Sequence, residues 1–323
     1  CCLSKPVAAV LTKGAMEKPY DFRTDKASKE LNRLIRNFAI RGPSKARFDR
    51  VADLHGICVS SDVVDNQLVT LWTSLETLIP STAHGAKIVN VLNQMTPFLM
   101  KAYIQRIVQR FTHDLITWKP WYVKRLLNKV PGIEGNNTIY RTMALLAVGN
   151  NAELRSELYT ELKDFQLLRY RAFQLNELLS SPASLRAALE THLMKVEWQI
   201  RRIYRTRNML VHSGKSPSYI HTLVENAHDY FDQIIFDVMR MSCGEYRAGT
   251  LDDVFELVKM RYAKFTATLA AISEFNVENC AFLCEDLDTL YDFQNEPWGV
   301  GNKDLTAARP STSTTVPEAT PAA

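Results

Sequence analysis

The chain places apolar side chains every three or four positions over long segments, which is the spacing of helices that bury one face. The strongest pattern follows Ser181 and Pro182, an N-cap and first-turn pair. Its apolar positions are Leu185, Leu189, Leu193, Val196, Ile200 and Ile203. Weaker patterns predict helices at 26–38, 65–79, 86–118, 139–147, 151–162, 163–179, 218–241 and 251–272. Gly and Pro are scarce, with 12 and 13 residues, so the sequence predicts an all-α protein.

The composition of the chain differs between its long, helical middle part and its two ends. Residues 1–58 are predicted to form a partly helical, basic segment, in which the stretch 33–50 interleaves six basic side chains with Phe38 and Phe48. Such a stretch could follow a nucleic-acid backbone, or it could be a solvated helix face. The remaining segments are predicted to be a main helical domain at 59–245, a C-terminal helical segment at 246–295 and a disordered Ser/Thr/Pro/Ala tail at 296–323.

The net charge of +4 conceals an uneven distribution. Residues 276–323 carry eight acidic side chains against two basic ones, so this segment is −6 and residues 1–275 are +10. A basic body suggests contact with a polyanion or shielding by the acidic segment, although solvated helix surface would have the same charge. No apolar run approaches the roughly 20 residues that cross a bilayer, and the patch at 7–11 is too short for a signal-peptide core. We therefore expect a cytoplasmic protein without membrane contact.

The six cysteines do not form a disulfide framework for a chain of this length. Cys280 and Cys284 are one helical turn apart and could supply half of a metal site together with His221 or His228. No second pair of cysteines or histidines completes that site, and small buried thiols are common. The sequence therefore predicts no metal and no cofactor.

The strongest chemical signal is RIYRTRNMLVHSGKSP, residues 202–217, at the end of the best-patterned helix. The apolar rhythm of that helix continues to Arg207, so a guanidinium stands on the packed face. Such a cation requires a carboxylate, backbone carbonyls, a phosphate or the charge of a transition state. His212 lies about 140° further round an ideal helix, in the last turn before Gly214. Asn208 adds an amide that can both donate and accept a hydrogen bond.

An arginine, an amide and a titratable histidine suffice for RNA cleavage without a metal. The imidazole can take the proton from a ribose 2′-hydroxyl or protonate the leaving 5′-oxygen. The guanidinium can neutralise charge on the phosphorane-like transition state. One histidine cannot easily perform both proton transfers, and two copies of the motif facing each other across a dimer would remove that difficulty.

RNMLVH, Arg207 to His212, resembles the R-x4-6-H motif of the HEPN (higher eukaryotes and prokaryotes nucleotide-binding) superfamily, including the polar residue that often follows the arginine. LWTSLETLI, Leu71 to Ile79, resembles an earlier helix of the Apea-like HEPN group, in which a glutamate follows an aromatic and aliphatic run. The resemblance covers roughly residues 60–245. It implies a HEPN-type helical bundle with additional N- and C-terminal helices, normally dimeric, with an internal extension near 113–150.

The resemblance assigns roles to individual residues. Carried over by position, Arg207 and His212 would be catalytic, Asn208 would support them, and Glu76 would orient them. A plain salt bridge between Glu76 and a neighbouring arginine is the alternative for that carboxylate. The weaker candidates for RNA contact are the basic side chains Arg201, Arg202, Arg205 and Lys215.

Three functions fit these residues. The first is a metal-independent endoribonuclease that acts as a homodimer in anti-phage defence or a toxin–antitoxin system, with an antitoxin or defence protein as partner. The second is a non-catalytic RNA- or nucleotide-binding module that serves as a sensor or scaffold. The third is a helical interaction protein in which Arg207 pairs with Glu76 inside the core. The resemblance favours the first.

Overall fold

The computed structural model describes Met16 and residues 24–81, 86–101, 103–133, 137–243 and 246–284. Within these ranges there is no strand, and the expectation of an all-α protein is confirmed. The α-helices are α1 (Thr24–Asn37), α2 (Gly42–Val59), α3 (Val64–Leu78), α4 (Lys87–Lys101), α5 (Tyr103–Trp118), α6 (Pro120–Asn128), α7 (Thr138–Ala147), α8 (Ala152–Glu161), α9 (Gln166–Leu178), α10 (Pro182–Ser213), α11 (Ile220–Cys243) and α12 (Leu251–Ala271). Short 3₁₀ helices occupy Gly149–Asn151 and Asn279–Cys284.

Most predicted helices occur where the apolar spacing places them, to within a few residues. One helix, α2, was not predicted by the apolar spacing. The segment 86–118 was expected to be one helix. It is described as α4 and α5, on either side of Ala102, which lies outside the described residues. A further short helix, α6, begins at Pro120, a residue that suits a first helical turn because it lacks a backbone N–H group.

Both ends of α10 follow from local chemistry. At its start the Ser181 hydroxyl accepts a hydrogen bond from the backbone N–H of Ser184 at 3.1 Å. At its end Gly214 adopts a left-handed conformation with φ 62°, and its N–H returns to the Leu210 carbonyl. The buried stripe between these ends comprises Leu185, Leu189, Val196, Ile200 and Ile203. Helix α10 therefore runs for 32 residues between these two caps, and the motif RNMLVH lies in its last turns.

Helices α3 and α4 lie at the centre of a helical bundle. α3 packs against α2, α10 and α11, while α4 packs against α10, α11 and α12. Aromatic side chains fill the space between them, and Trp72, Phe98, Phe231 and Phe255 are each 2% exposed or less. The Phe98 and Phe255 ring centroids are 4.8 Å apart, which is a favourable separation for an aromatic pair. This core holds α3 and α10, the two helices that carry the motif stretches, against each other.

The packing extends beyond the predicted domain at 59–245. α2 lies mostly in the segment 1–58 and α12 in the segment 246–295, yet both pack against helices of the bundle. Helices α5 to α9 form a second layer, in which α5 packs against α6, α7 and α9. The helices of this layer lie between residues 103 and 178, a range that contains the stretch 113–150.

The described part of the basic stretch 33–50 contributes to the core. Phe38 is buried and its ring centroid is 4.7 Å from that of Phe48. The Arg47 guanidinium donates to the Leu78 carbonyl at 3.0 Å, at the end of α3. The two aromatic rings are therefore packed against each other, whereas Arg36, Arg41 and Arg50 of the same stretch are exposed.

Some of the predicted features lie outside the described residues. The predicted disordered tail at 296–323 lies there, together with residues 285–295 and most of the first 23 residues. Among the helices that are described, none combines the length and apolar character needed to cross a bilayer.

We expect Gly214→Ala to destabilise the chain by about 1 kcal/mol, because a β-carbon disfavours the left-handed conformation. The matched control is Gly56→Ala within α2, since a β-carbon at either position would meet nothing within 4 Å. In the helix, alanine should instead stabilise by about 0.5–1 kcal/mol. Urea denaturation measures both variants, and shifts of the same sign would contradict the assigned role of Gly214.

Candidate functional site

Glu76 connects α3 to α4 and α10. Its Oε1 accepts a hydrogen bond from the Trp72 indole N–H at 2.5 Å, one turn earlier on α3. Lys87 Nζ, at the start of α4, lies 2.9 Å from Glu76 Oε2, and Arg207 Nη2 lies 3.9 Å from the same oxygen. Only 12% of the Glu76 side chain is exposed. Because a carboxylate is costly to bury alone, these three partners are what make its position tolerable.

The Arg207 guanidinium has partners for some of its N–H groups but not for all of them. Beside the contact with Glu76, its Nη1 donates to Asn208 Oδ1 at 3.0 Å. Its Nε is buried and meets no hydrogen-bond acceptor within the described residues. A buried N–H without an acceptor costs about 1–3 kcal/mol. The Nε–H group is therefore an unsatisfied donor, although the side chain as a whole is 22% exposed.

His212 stands in the last turn of α10 with an exposed side chain. The turn is closed by the Ser213 hydroxyl, which donates to the Met209 carbonyl at 2.7 Å, and by Gly214. On an ideal helix Arg207 and His212 point about 140° apart. The contacts of Arg207 within the described residues are to Glu76 and Asn208, so a single chain does not join the guanidinium to the imidazole.

One side of α10, which we call the outer face, carries His212 together with other exposed side chains and the partly buried Asn208. Its members are Met194, Trp198, Arg201, Arg205, Asn208 and His212, which point within about 40° of His212 on an ideal helix. Met194 and Trp198 are 59% and 77% exposed. Large apolar side chains exposed beside arginines are typical of an interaction surface.

The four basic side chains predicted to contact RNA do not all lie on the same surface. Arg201 and Arg205 are exposed on the outer face of α10. Arg202 turns aside, and its Cζ lies 4.1 Å from the centroid of the Tyr219 ring. Lys215 is exposed in the loop that follows α10. Only Arg201 and Arg205 therefore share a surface with the histidine of the motif.

Two contacts at this site escaped the sequence analysis. The Ser216 hydroxyl, in the loop after α10, donates to Asp65 Oδ1 at 2.6 Å in the first turn of α3. Lys87 reaches Glu76 from the next helix along the chain. Spacing along the chain reveals neither pair. Ser216 and Asp65 are 151 positions apart, and Lys87 and Glu76 lie on different helices. With them, α3 holds the end of α10 through both Glu76 and Asp65.

The cysteine pair considered as half of a metal site does not meet the histidines considered with it. Cys280 belongs to the 3₁₀ helix that packs against α7, and burial raises the pKa of its thiol to about 11. His228 instead has its Nε2 3.2 Å from the Nε2 of His55. In the described parts of the chain, the group of side chains with ligand atoms close enough for a metal is His55, His228 and Asp232.

No protein-family model, curated protein or solved structure matches this chain. The HEPN resemblance therefore rests on the stretches RNMLVH and LWTSLETLI and on their order along the chain. The structure adds that these two stretches touch, because Glu76 of one is the ion-pair partner of Arg207 of the other.

We expect Arg207→Ala to lower the free energy of unfolding by about 1–2 kcal/mol, because an ion pair and a hydrogen bond at a partly buried site are lost. Lys87 and Trp72 remain with Glu76, which keeps the cost moderate. Arg205→Ala, on the outer face, is the control and should change stability by less than about 0.5 kcal/mol.

Urea denaturation of Arg207→Ala, Glu76→Gln and the double variant measures the coupling between the two side chains. We expect the double variant to lose less stability than the single changes added together. Strict additivity would show that the 3.9 Å contact contributes nothing in solution.

Proposed function

We propose that the chain is a HEPN-type endoribonuclease that acts as a homodimer and uses no metal in catalysis. The observation that carries this proposal is the meeting of the two motif stretches, in which Glu76 holds Arg207 while His212 stands exposed at the end of the same helix. A cation and an acid–base group thus lie near the end of a helix that contacts α3 through Arg207 and Glu76 and is followed by a loop that contacts α3 through Ser216 and Asp65.

The surroundings of Arg207 support a role beyond an ion pair. Its separation of 3.9 Å from Glu76 is too long for a hydrogen bond, and its buried Nε has no acceptor in the described residues. Part of the Arg207 side chain is exposed, and arginine binds phosphate through paired hydrogen bonds. A guanidinium in this condition suits the stabilisation of negative charge that develops on phosphate oxygens.

The reaction follows from the chemistry of these groups. An imidazole removes the proton from a ribose 2′-hydroxyl, and the oxygen attacks the adjacent phosphorus. The bond from phosphorus to the 5′-oxygen breaks, and that oxygen takes up a proton from a second acid. The products are a 2′,3′-cyclic phosphate and a 5′-hydroxyl end. Because the two proton transfers need two acid–base groups, each protomer would contribute one His212.

The outer face of α10 is the surface through which we propose that two protomers meet. Trp198 and Met194 supply apolar contact, and tryptophan is among the residues that contribute most to interfaces. Arg201 and Arg205 would flank the cleft and contact RNA phosphates. The charge of +10 on residues 1–275 is in keeping with an RNA substrate. Pairing of the outer faces would bring two His212 side chains into one cleft.

The biological setting rests on the resemblance alone. Many HEPN nucleases act in anti-phage defence or toxin–antitoxin systems, and we propose such a setting in the cytoplasm, with an antitoxin or defence protein as partner. A nuclease of this kind needs restraint until it is triggered, and a protein that covers the outer face of α10 would provide it.

The separation of Arg207 and His212 favours a second function. With Arg207 turned toward Glu76, the same fold could hold RNA or a nucleotide without cleaving it. In that case binding should weaken with salt and survive His212→Ala, and RNA products should be missing at every protein concentration.

For the nuclease, His212→Ala is expected to reduce the rate of RNA cleavage by about 10²- to 10⁴-fold, because an acid–base group is lost. The melting temperature should stay unchanged, since the side chain is exposed. His221→Ala, an exposed histidine on the next helix, is the matched control and should cleave normally. Cleavage is measured by gel electrophoresis of labelled single-stranded and structured RNA.

Two substrate and buffer conditions test the same chemistry. An RNA with a single 2′-deoxy sugar at the cleaved position should resist, because the attacking oxygen is missing. Cleavage should continue in EDTA while the chain remains folded. Loss of activity in EDTA by a chain that is still folded would contradict the proposed mechanism.

We expect Trp198→Asp to convert the dimer to a monomer and to lower cleavage in parallel, because it buries a charge in the proposed interface. Trp121→Asp is the matched control, since Trp121 lies on α6 and is 86% exposed. Sedimentation equilibrium measures the mass of each variant. A Trp198→Asp protein that remains dimeric would rule out the outer face of α10 as the interface.

A further inference from the structure

Three side chains that the proposed nuclease reaction does not use converge between α2 and α11. The Nε2 atoms of His55 and His228 are 3.2 Å apart. Asp232 Oδ1 lies 3.4 Å from His228 Nε2 and 4.0 Å from His55 Nε2. We propose that these three side chains bind one Zn²⁺ ion.

The separations suit the corners of a zinc site. Zinc takes nitrogen and oxygen ligands at about 2.0–2.2 Å in a tetrahedron, so its ligand atoms are roughly 3.3–3.5 Å apart. The two distances that involve His228 are within about 0.1 Å of that range. The third distance requires a shift of about 0.5 Å. The side chain of Asp232, which is 38% exposed, would make this shift when the ion binds.

The backbone and its packing prepare the site. His228 and Asp232 are four residues apart on α11, which puts them on one face of the helix, as in metal sites that take two ligands from neighbouring turns. His55 enters from α2, and its ring stacks on Phe231 with centroids 4.8 Å apart and an angle of 14°. The His228 side chain is only 6% exposed. Little rearrangement is needed before the ion can bind.

The ligand set selects the class of metal. Two imidazole nitrogens and one carboxylate suit zinc, whereas Mg²⁺ and Ca²⁺ prefer oxygen ligands throughout. The side chains of His55 and Asp232 are 29% and 38% exposed, so the cluster is open to solvent on one side. Water would occupy the fourth corner of the tetrahedron there.

The position of the cluster indicates what the ion does. α2 and α11 both pack against α3, the helix that carries Glu76. An ion bound by one residue of α2 and two residues of α11 would cross-link the two helices around α3. Since the unfolded chain does not hold these ligands together, binding would stabilise the folded chain. The ion would thus stabilise the packing of α2 and α11, separately from the chemistry assigned to His212.

The test is a titration of the purified whole chain, freed of metal with a chelator, using Zn²⁺ in competition with a chromophoric zinc indicator. We expect one zinc per chain and a higher melting temperature in zinc. Each of His55→Gln, His228→Gln and Asp232→Asn should lower the zinc affinity by at least about 10-fold, since even outer-shell changes cost that much.

Two control variants show whether the zinc is bound by this cluster and not by other side chains. His221→Gln changes an exposed histidine on the same helix and should leave zinc binding unchanged. The double variant Cys280→Ser, Cys284→Ser removes the other pair of potential ligands and should also bind one zinc. If zinc binding were lost with the cysteines, the proposal would be overturned.

Two further outcomes would overturn it. One is the failure of the unaltered chain to take up zinc, which would leave the two histidines as a hydrogen-bonded pair. The other is zinc uptake that survives both His55→Gln and Asp232→Asn, the two partly exposed positions. These two variants decide the matter even if His228→Gln, at a buried position, fails to fold. RNA cleavage is not a readout, so failure here leaves the nuclease proposal intact.

Discussion

A nearly buried carboxylate on α3 sets the position of the motif on α10. Glu76 is 12% exposed, and its charge is balanced by Lys87 and Arg207 while the Trp72 indole donates to it. Charges in such surroundings need their partners in place, because water cannot replace them. The three partners come from α3, α4 and α10, so one carboxylate fixes the mutual register of three helices. The direction in which His212 faces follows from that register.

The sequence predicts the framework of this arrangement but not its contacts. Apolar spacing predicts the helices, the cap at Ser181 and the end of α10, because these depend on neighbouring residues. The same spacing also predicts that Arg207 faces inward. It does not predict Lys87 beside Glu76, or the bond from Ser216 to Asp65, since polar partners are chosen by the tertiary packing.

The cluster of His55, His228 and Asp232 could likewise be predicted only in part, because two of its members are close in sequence and the third is distant. His228 and Asp232 are visible in the sequence as a pair four residues apart, but such pairs are common on solvated helix faces. The ligand that distinguishes this pair is His55, which lies 173 positions away from His228. Reasoning from spacing considered instead the cysteines at 280 and 284, which are also four residues apart. Only the packing of α2 and α11 on α3 reveals the third ligand.

The length of α10 has a mechanical consequence. The helix runs for 32 residues without interruption, from the end that packs near α9 to the turn that carries His212. It spans roughly 48 Å at the usual rise per residue. On a rigid rod of that length, a tilt of about 5° about one end displaces the other by about 4 Å. Glu76 and Asp65 on α3 oppose such a tilt, because both make contacts near the end that carries His212. The position of the imidazole therefore depends on these two contacts.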